Sequence, residues 1–249
     1  MNNNRLPQKS KQSHANVSVA PVLLRPDFIV SSGIAELDRL CGGFKAGQLV
    51  LVDGDSNLIA DLPHQLCVNT YRTFHSETIY IDGGMCANPY QIARYARKLE
   101  LNQQEVLQNV MMSRAFTVYQ LSTILQELLE PIIQKCSPRT LLIGMLPALY
   151  RDPDVSPRES QTLFVQDLEK IQQLTSRYAL ITVCTNLDVI PLSPAKGLGK
   201  HLYAHASEII RMKQFEGGTA LELIKGQKST MIRRGAAGQS HLEAFGMVN

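Results

Sequence analysis

Residues 32–54 read SGIAELDRLCGGFKAGQLVLVDG, and the last third of that stretch sets the architecture. Gln48 to Val52 is a short apolar run ended by Asp53-Gly54, the pattern of a strand buried on both faces. Thr78 to Ile81 repeats it, ending at Asp82-Gly83-Gly84. Similar runs stand at Thr140 to Ile143, Ala179 to Val183 and Glu208 to Met212, with Ala220 to Ile224 and Ser229 to Ile232 close behind. Helical spacing separates the earlier runs: Ile92, Tyr95, Leu99; then Leu121, Ile124, Leu125, Leu128, Ile132; then Phe164, Leu168, Ile171, Leu174. Strands alternating with helices predict a mostly parallel sheet covered on both faces, and the last strands, without helices between them, predict an antiparallel edge. Ligands of such sheets bind beyond the carboxyl ends of the strands. The turns after Val52, Ile81, Ile143 and Val183 are therefore where chemistry is sought.

The chain has 249 residues, 44% of them apolar, enough for one sizeable core. The opening residues are polar, and Arg5, Lys9 and Lys11 have no acid among them in MNNNRLPQKSKQSHANVS. Residues 1–27 read as a disordered basic arm and 28–249 as the core domain; no signal peptide or membrane span is expected. Five cysteines (Cys41, Cys67, Cys86, Cys136, Cys184) form no C-x-x-C pair. They suit a reducing intracellular compartment, the cytoplasm or nucleoid of a prokaryote or the nucleus of a eukaryote, and no zinc site. A net charge of +3 is too small to establish nucleic-acid binding, so the placement of charge has to decide it.

The opening stretch resembles the segment by which archaeal RadA recombinases and their eukaryotic relatives enter their ATPase core. The likeness continues in order through YIDGGMCANPYQIARYARKLELNQQEVLQNVMMSRAF (80–116), TLLIGMLPALYRD (140–152), VCTNLD (183–188) and GLGKHLYAHASEIIRMK (197–213). It implies a RecA-like P-loop NTPase fold over about residues 28 to 215. KaiC-like ATPases share the Gly-Gly opening and are a weaker comparison. The short stretch before residue 28 leaves no room for the small helical domain of full-length recombinases, so the resemblance is to a paralogue core.

A P-loop cradles phosphates with glycine-rich backbone N–H groups at a helix N-terminus, reaches them with a lysine and holds magnesium with a Ser/Thr hydroxyl. In GDSNLIAD (54–61), counting from Gly54 or back from His64-Gln65-Leu66 puts Ile59, Ala60 or Asp61 at the lysine and hydroxyl positions. Gly54, Asp55, Ser56, Asn57, Ile59, Ala60 and Asp61 thus make a degenerate loop in which bulky side chains crowd the backbone. Asp61 is expected to cap a helix beginning at Leu62-Pro63 and so to fill the phosphate position with its own carboxylate. The resemblance puts Gly84 where the family has the glutamate that polarises water, and Gly144 where a carboxylate supports magnesium. Thr185-Asn186-Leu187 stands where relatives carry Thr-Asn-Gln, whose amide couples nucleotide state to the DNA loop. Phosphoryl transfer rests on positioning and charge stabilisation, so no ATPase activity and no bound ATP or magnesium are expected.

The family's two DNA loops correspond to RDPDVSPRES (151–160) and VIPLSPAKGLGK (189–200). Arg151, Arg158, Lys196, Lys200 and His201 are the candidate phosphate contacts, with Gly197 and Gly199 allowing close backbone approach. Asp152, Asp154 and Glu159 offset the first loop. His201 and His205 read as structural histidines because no third ligand is near. Arg94, Arg97 and Lys98 form a weaker basic face. The expectation is a non-catalytic recombinase paralogue that assists or regulates homologous recombination and repair. Its partners would be single- or double-stranded DNA and a RadA-type recombinase or another paralogue, in a homo- or hetero-oligomer. Two alternatives stand beside it: an ATPase using Asp53, Asp55 or Asp82 for magnesium and Arg72 for phosphate, and a scaffold without DNA contact.

Overall fold

A computed structural model describes residues 28–188 and 192–233; the basic arm of residues 1–27 lies outside the described residues. A small pair of strands, β1 (Ile29–Val30) and β2 (Phe44–Lys45), brackets helix α1 (Ala35–Cys41). The core then runs β3 (Leu49–Gly54), α2 (Leu58–Phe74), β4 (Thr78–Asp82), α3 (Pro89–Lys98), α4 (Gln103–Gln108) and β5 (Val110–Arg114). It continues α5 (Val118–Thr123), α6 (Leu129–Cys136), β6 (Thr140–Gly144), α7 (Pro157–Arg177), β7 (Ile181–Leu187) and α8 (Gly197–His205). Strands β8 (Glu208–Phe215), β9 (Gly218–Leu223) and β10 (Lys228–Arg233) close it. The sheet order is β10-β9-β8-β3-β7-β6-β4-β5. Strands β3 to β8 run parallel, and β9 and β10 form the expected antiparallel edge.

Side chains of a strand alternate between faces, and the two halves of the core follow that alternation. Val50, Val52, Tyr80, Leu142 and Val183 face one layer with Leu37, Leu62 and Leu66 of α1 and α2. Leu49, Leu51, Ile79, Leu141 and Cys184 face the other with Leu125, Leu129, Phe164 and Leu168. The central strands are buried on both sides, so each continuous apolar run is a physical requirement.

Between α5 and α6 the helix widens into a π-turn at Ile124–Leu128. The buried positions there are Leu121, Leu125, Leu129 and Ile133, spaced four apart, whereas Leu128 is 50% exposed. An α-helix would drift off that stripe; the wide turn absorbs the drift and lies just before Pro131, which has no N–H to donate. Of the expected stripe Leu121, Ile124, Leu125, Leu128 and Ile132, Leu121 and Leu125 are buried, Ile124 and Ile132 pack against the core, and Leu128 is corrected to an exposed position.

Glu130 ties α6 to α7, accepting from Lys170 Nζ and Arg177 Nη1 at 2.6 Å each and from Tyr178 OH at 3.0 Å. The Lys170 ammonium, with Tyr178 and Arg177 behind it, holds the carboxyl down to about 2. Folding is therefore stabilised above the ordinary glutamate value of 4.5, and that contribution disappears as pH falls toward 2. Glu130→Gln is expected to lose about 1 kcal/mol at neutral pH, after allowance for solvent screening. Urea titrations at several pH values should show the gap from the parent chain closing below pH 4.5.

Candidate functional site

The carboxyl ends of β3, β7, β6 and β4 lie side by side, as the strand order requires. At β3 only Asp55, Ser56 and Asn57 separate the strand from the helix. Gly54 has φ +144°, and a β-carbon there would stand 2.0 Å from Met212 O, so the turn is pressed against β8. Five N–H groups of the turn and the first turn of α2 are engaged within the chain. Asp55 N–H donates to Met212 O, Leu58 N–H to Ser56 Oγ, Ile59 N–H to Ser56 O, and Ala60 and Asp61 N–H to Asn57 O. Ser56 is buried, with Oγ 3.3 Å from Gln214 Oε1 and 3.2 Å from Thr219 Oγ1, so its hydroxyl serves the β8–β9 hairpin. Ile59, at the lysine position of one alignment frame, is fully buried in the core.

The expected cap at Asp61 is corrected. Helix α2 begins at Leu58, one turn earlier, with Asn57 at the cap position and no side-chain cap. Ile59 gains complete burial from that early start, which an Asp61 cap would have forfeited. Asp61 sits instead in the first turn, where its carboxylate still lies at the positive end of the helix. Pro63 moves with it, standing inside the helix beyond the first turn.

The two glycines at the other strand ends are packed. A β-carbon on Gly84 would meet Met145 Cβ and Cγ at 2.4 Å, and one on Gly144 would lie 3.1–3.2 Å from the Tyr80 ring and hydroxyl. Tyr80 is fully buried, and burial with the nearby Asp82 charge pushes its phenol well above the ordinary range. Met145 adopts φ +55°, accepts Leu187 N–H on its sulfur at 3.3 Å and donates its own N–H to Thr185 Oγ1. Neither Met145 nor Tyr80 stood out in the sequence, because only the packing shows what fills the space above a glycine.

The carboxylates of the unconventional ATPase alternative are occupied. Asp82 accepts from the N–H groups of Gly84, Cys86 and Ala87 and from Arg114 Nε, locking the turn after β4. Asp55 Oδ1 accepts Gln214 N–H at 2.7 Å. Asp53 is buried and bonded to Asn186 and to Leu192. Arg72 lies in the last turn of α2, about 20 Å along the helix from its start. Burial and the Asp82 charge push the Cys86 thiol up, away from reactive thiolate.

The two proposed DNA loops meet. Tyr150, Arg151 and Gln161 from the first side and Ser193, Lys196, Gly197 and Gly199 from the second line one cleft of about 620 Å³. Much of each segment is ordered secondary structure. Ser156 Oγ accepts Glu159 N–H and caps α7 at Pro157, so Arg158 and Glu159 belong to a helix and not to a loop. Arg151 is 2.6 Å from Asp188 Oδ2, so part of its charge is already neutralised. Gly199 also departs from expectation: a β-carbon there would stand 2.3 Å from Ser193 O, so its bareness admits the chain's own backbone. Gly197, with φ +58° and open space around it, keeps room for an approaching phosphate. Lys196, Arg158 and Lys200 are exposed. Residues 189–191, inside the second segment, lie outside the described residues. His205 Nδ1 pairs with His201 O at 2.8 Å and His201 Nε2 with the Gln161 amide at 2.9 Å, so both rings have protein partners. Arg94 and Lys98 lie over the Tyr95 ring beside Asp61.

Fold and strand-end geometry together define a RecA-like domain of the recombinase type. The Rad51 family model matches residues 25–233, and the chain belongs to that family. It is 27% identical over 227 residues to the DNA repair protein Rad51 homolog of Drosophila melanogaster, an alignment covering 84% of this chain and 64% of that protein. It is 27% identical over 204 residues to the meiotic recombination protein DMC1/LIM15 homolog of Mus musculus, covering 72% and 58%. With the DNA repair protein RAD51 homolog 1 of Arabidopsis thaliana it shares 26% over 197 residues, covering 72% and 57%. The chain spans less than two thirds of the length of these relatives. No helix among the described residues is long and apolar enough to cross a membrane.

Proposed function

We propose that this chain is a non-catalytic member of its family, acting as an accessory or regulatory factor in homologous recombination. The observation that carries the reading is the turn after β3, where five N–H groups are bonded within the chain, Ile59 is buried and the Ser56 hydroxyl is committed to β8–β9, with no lysine to reach a phosphate. Catalysis of phosphoryl transfer is charge stabilisation, and the groups that would supply it are absent or engaged elsewhere. The expected result is no hydrolysis of ATP above buffer, with or without DNA, and no retention of labelled ATP on a filter. Hydrolysis that co-elutes with the pure chain and is abolished by Asp53→Ala would instead support the unconventional ATPase.

Contact with DNA falls to the cleft between the two loop segments. Lys196 lines it beside Gly197, and Lys200 follows in the first turn of α8. Lys196→Ala with Lys200→Ala should weaken single-strand binding equally across sequences and flatten the salt dependence by about 1.4 in log–log slope. A scaffold that never touches DNA would show no salt-dependent binding to lose. Protein partners have a second surface. The outer side of β5 is unpaired among the described residues, with Met111 and Met112 more than a third exposed and Phe116 61% exposed beside it. An open edge of this kind accepts a strand from a recombinase or another paralogue.

A further inference from the structure

Asp53 is the last residue before Gly54, buried at 0% exposure in the middle of the sheet. Its surroundings are unusual in being all donors. Asn186 Nδ2, at the end of β7, donates to Oδ1 at 2.8 Å. The N–H of Leu192 donates to Oδ2 at 3.2 Å, and the hydroxyl of Tyr203 on α8 approaches the same oxygen at 3.5 Å. Arg211 on β8 supplies the compensating charge, with Nη2 3.5 Å from Oδ2 and bonded to the Tyr203 hydroxyl. Four separate elements thus converge on one carboxylate, and two of the links hold the segment that carries Lys196 and Lys200.

A carboxylate accepts only, and two oxygens serve four donors well. The charge is paired and hydrogen-bonded, which is the condition under which a buried ion is tolerable. The links need nothing from outside the chain: β3, β7, the Leu192 turn, α8 and β8 are held by residues already present. Gly199 strengthens the same assembly, since its bareness lets Ser193 O lie against the first turn of α8.

We infer that Asp53 is the positioning residue of the second loop segment, fixing Leu192 and α8, and with them Lys196 and Lys200, independently of any nucleotide. The inference rests on the reading of that segment as the DNA side. Its consequence is that DNA affinity is the same with and without ATP and magnesium, and that it depends on a residue that touches no DNA.

Asp53→Asn tests this sharply. The amide is isosteric, yet either orientation turns an NH₂ toward at least one of the donors at Asn186, Leu192, Tyr203 or Arg211. Amide hydrogen exchange over residues 192–205, read by mass spectrometry, is expected to quicken about tenfold in Asp53→Asn, while β4 and β5 keep the parent's rates. In the parent chain, ATP with magnesium is expected to change exchange over 192–205 by less than twofold. Unaltered exchange there in Asp53→Asn, an equal acceleration throughout the sheet, or protection of 192–205 by ATP would each overturn the inference. Should Asp53→Asn fail to fold, Tyr203→Phe, which removes one link, decides instead: faster exchange confined to α8 supports it, and none refutes it. Single-strand binding is measured in parallel. A parent chain that binds no DNA removes the functional reading, whereas the exchange data still decide the role of Asp53.

Discussion

Ile59→Lys, the substitution that restores a lysine in one of the two alignment frames of the loop, is expected to destabilise the chain by about 4 kcal/mol and to bring no ATP binding with it. Ile59 is fully buried among Val52, Leu62, Leu66 and Met212. Removing it forfeits the transfer free energy of a large aliphatic side chain, and the ammonium must shed its proton or its hydration. A loss of that size is a large share of the roughly 5–15 kcal/mol by which domains are stable. Ile59→Val, which keeps the chemistry and removes one methyl group, should cost only about 1 kcal/mol. Thermal and urea denaturation of the two variants checks the contrast. An Ile59→Lys chain as stable as its parent, or one that retains labelled ATP, would mean that residue 59 can reach solvent and that the closed-loop reading is wrong.

The fold was legible because its signals are collective. Each central strand is buried on both faces, so Leu49–Val52 or Leu141–Ile143 has to be apolar throughout, and the helical spacing of Phe164, Leu168, Ile171 and Leu174 recurs undisturbed in α7. Local signals fared less well where two starts competed. Asp61-Leu62-Pro63 is a good helix opening in isolation, yet burial of Ile59 outweighs a cap worth about 1 kcal/mol. The stripe on α5 and α6 fails only at Leu128, because a π-turn leaves no mark in composition beyond the nearby Pro131.

The candidate site was legible in what it lacks more than in what replaces it. Missing residues are visible in a sequence; the groups that fill their space come from elsewhere in the chain. Ser56 bonds across 163 residues to Thr219, and Asp53 across 139 to Leu192. The same holds for the DNA side, where Arg151 reads as a free cation until Asp188 is placed beside it. Charge counted along a segment therefore overstates the first loop, whereas Lys196 and Lys200 stand exposed at the start of α8.

The second large effect is expected at Gly84, where relatives' resemblance places a glutamate. Gly84→Ala should cost about 3 kcal/mol, because the new β-carbon would lie 2.4 Å from both Cβ and Cγ of Met145. Those atoms sit near the backbone and cannot swing aside as a side-chain tip would. Met145 itself is held by the sulfur contact to Leu187 N–H and by a φ of +55° that glycine adopts more easily. Met145→Gly therefore removes the obstruction and relaxes the backbone, at the loss of the side chain's packing. The double variant Gly84→Ala, Met145→Gly is expected to be more stable than the sum of its parts by at least about 1 kcal/mol, the mark of two residues competing for one space. Strict additivity in a double-mutant cycle would show that Met145 does not occupy the position above Gly84. Coupling would show that any side chain at position 84 needs the space that Met145 fills, so that these two strand ends pack as one unit.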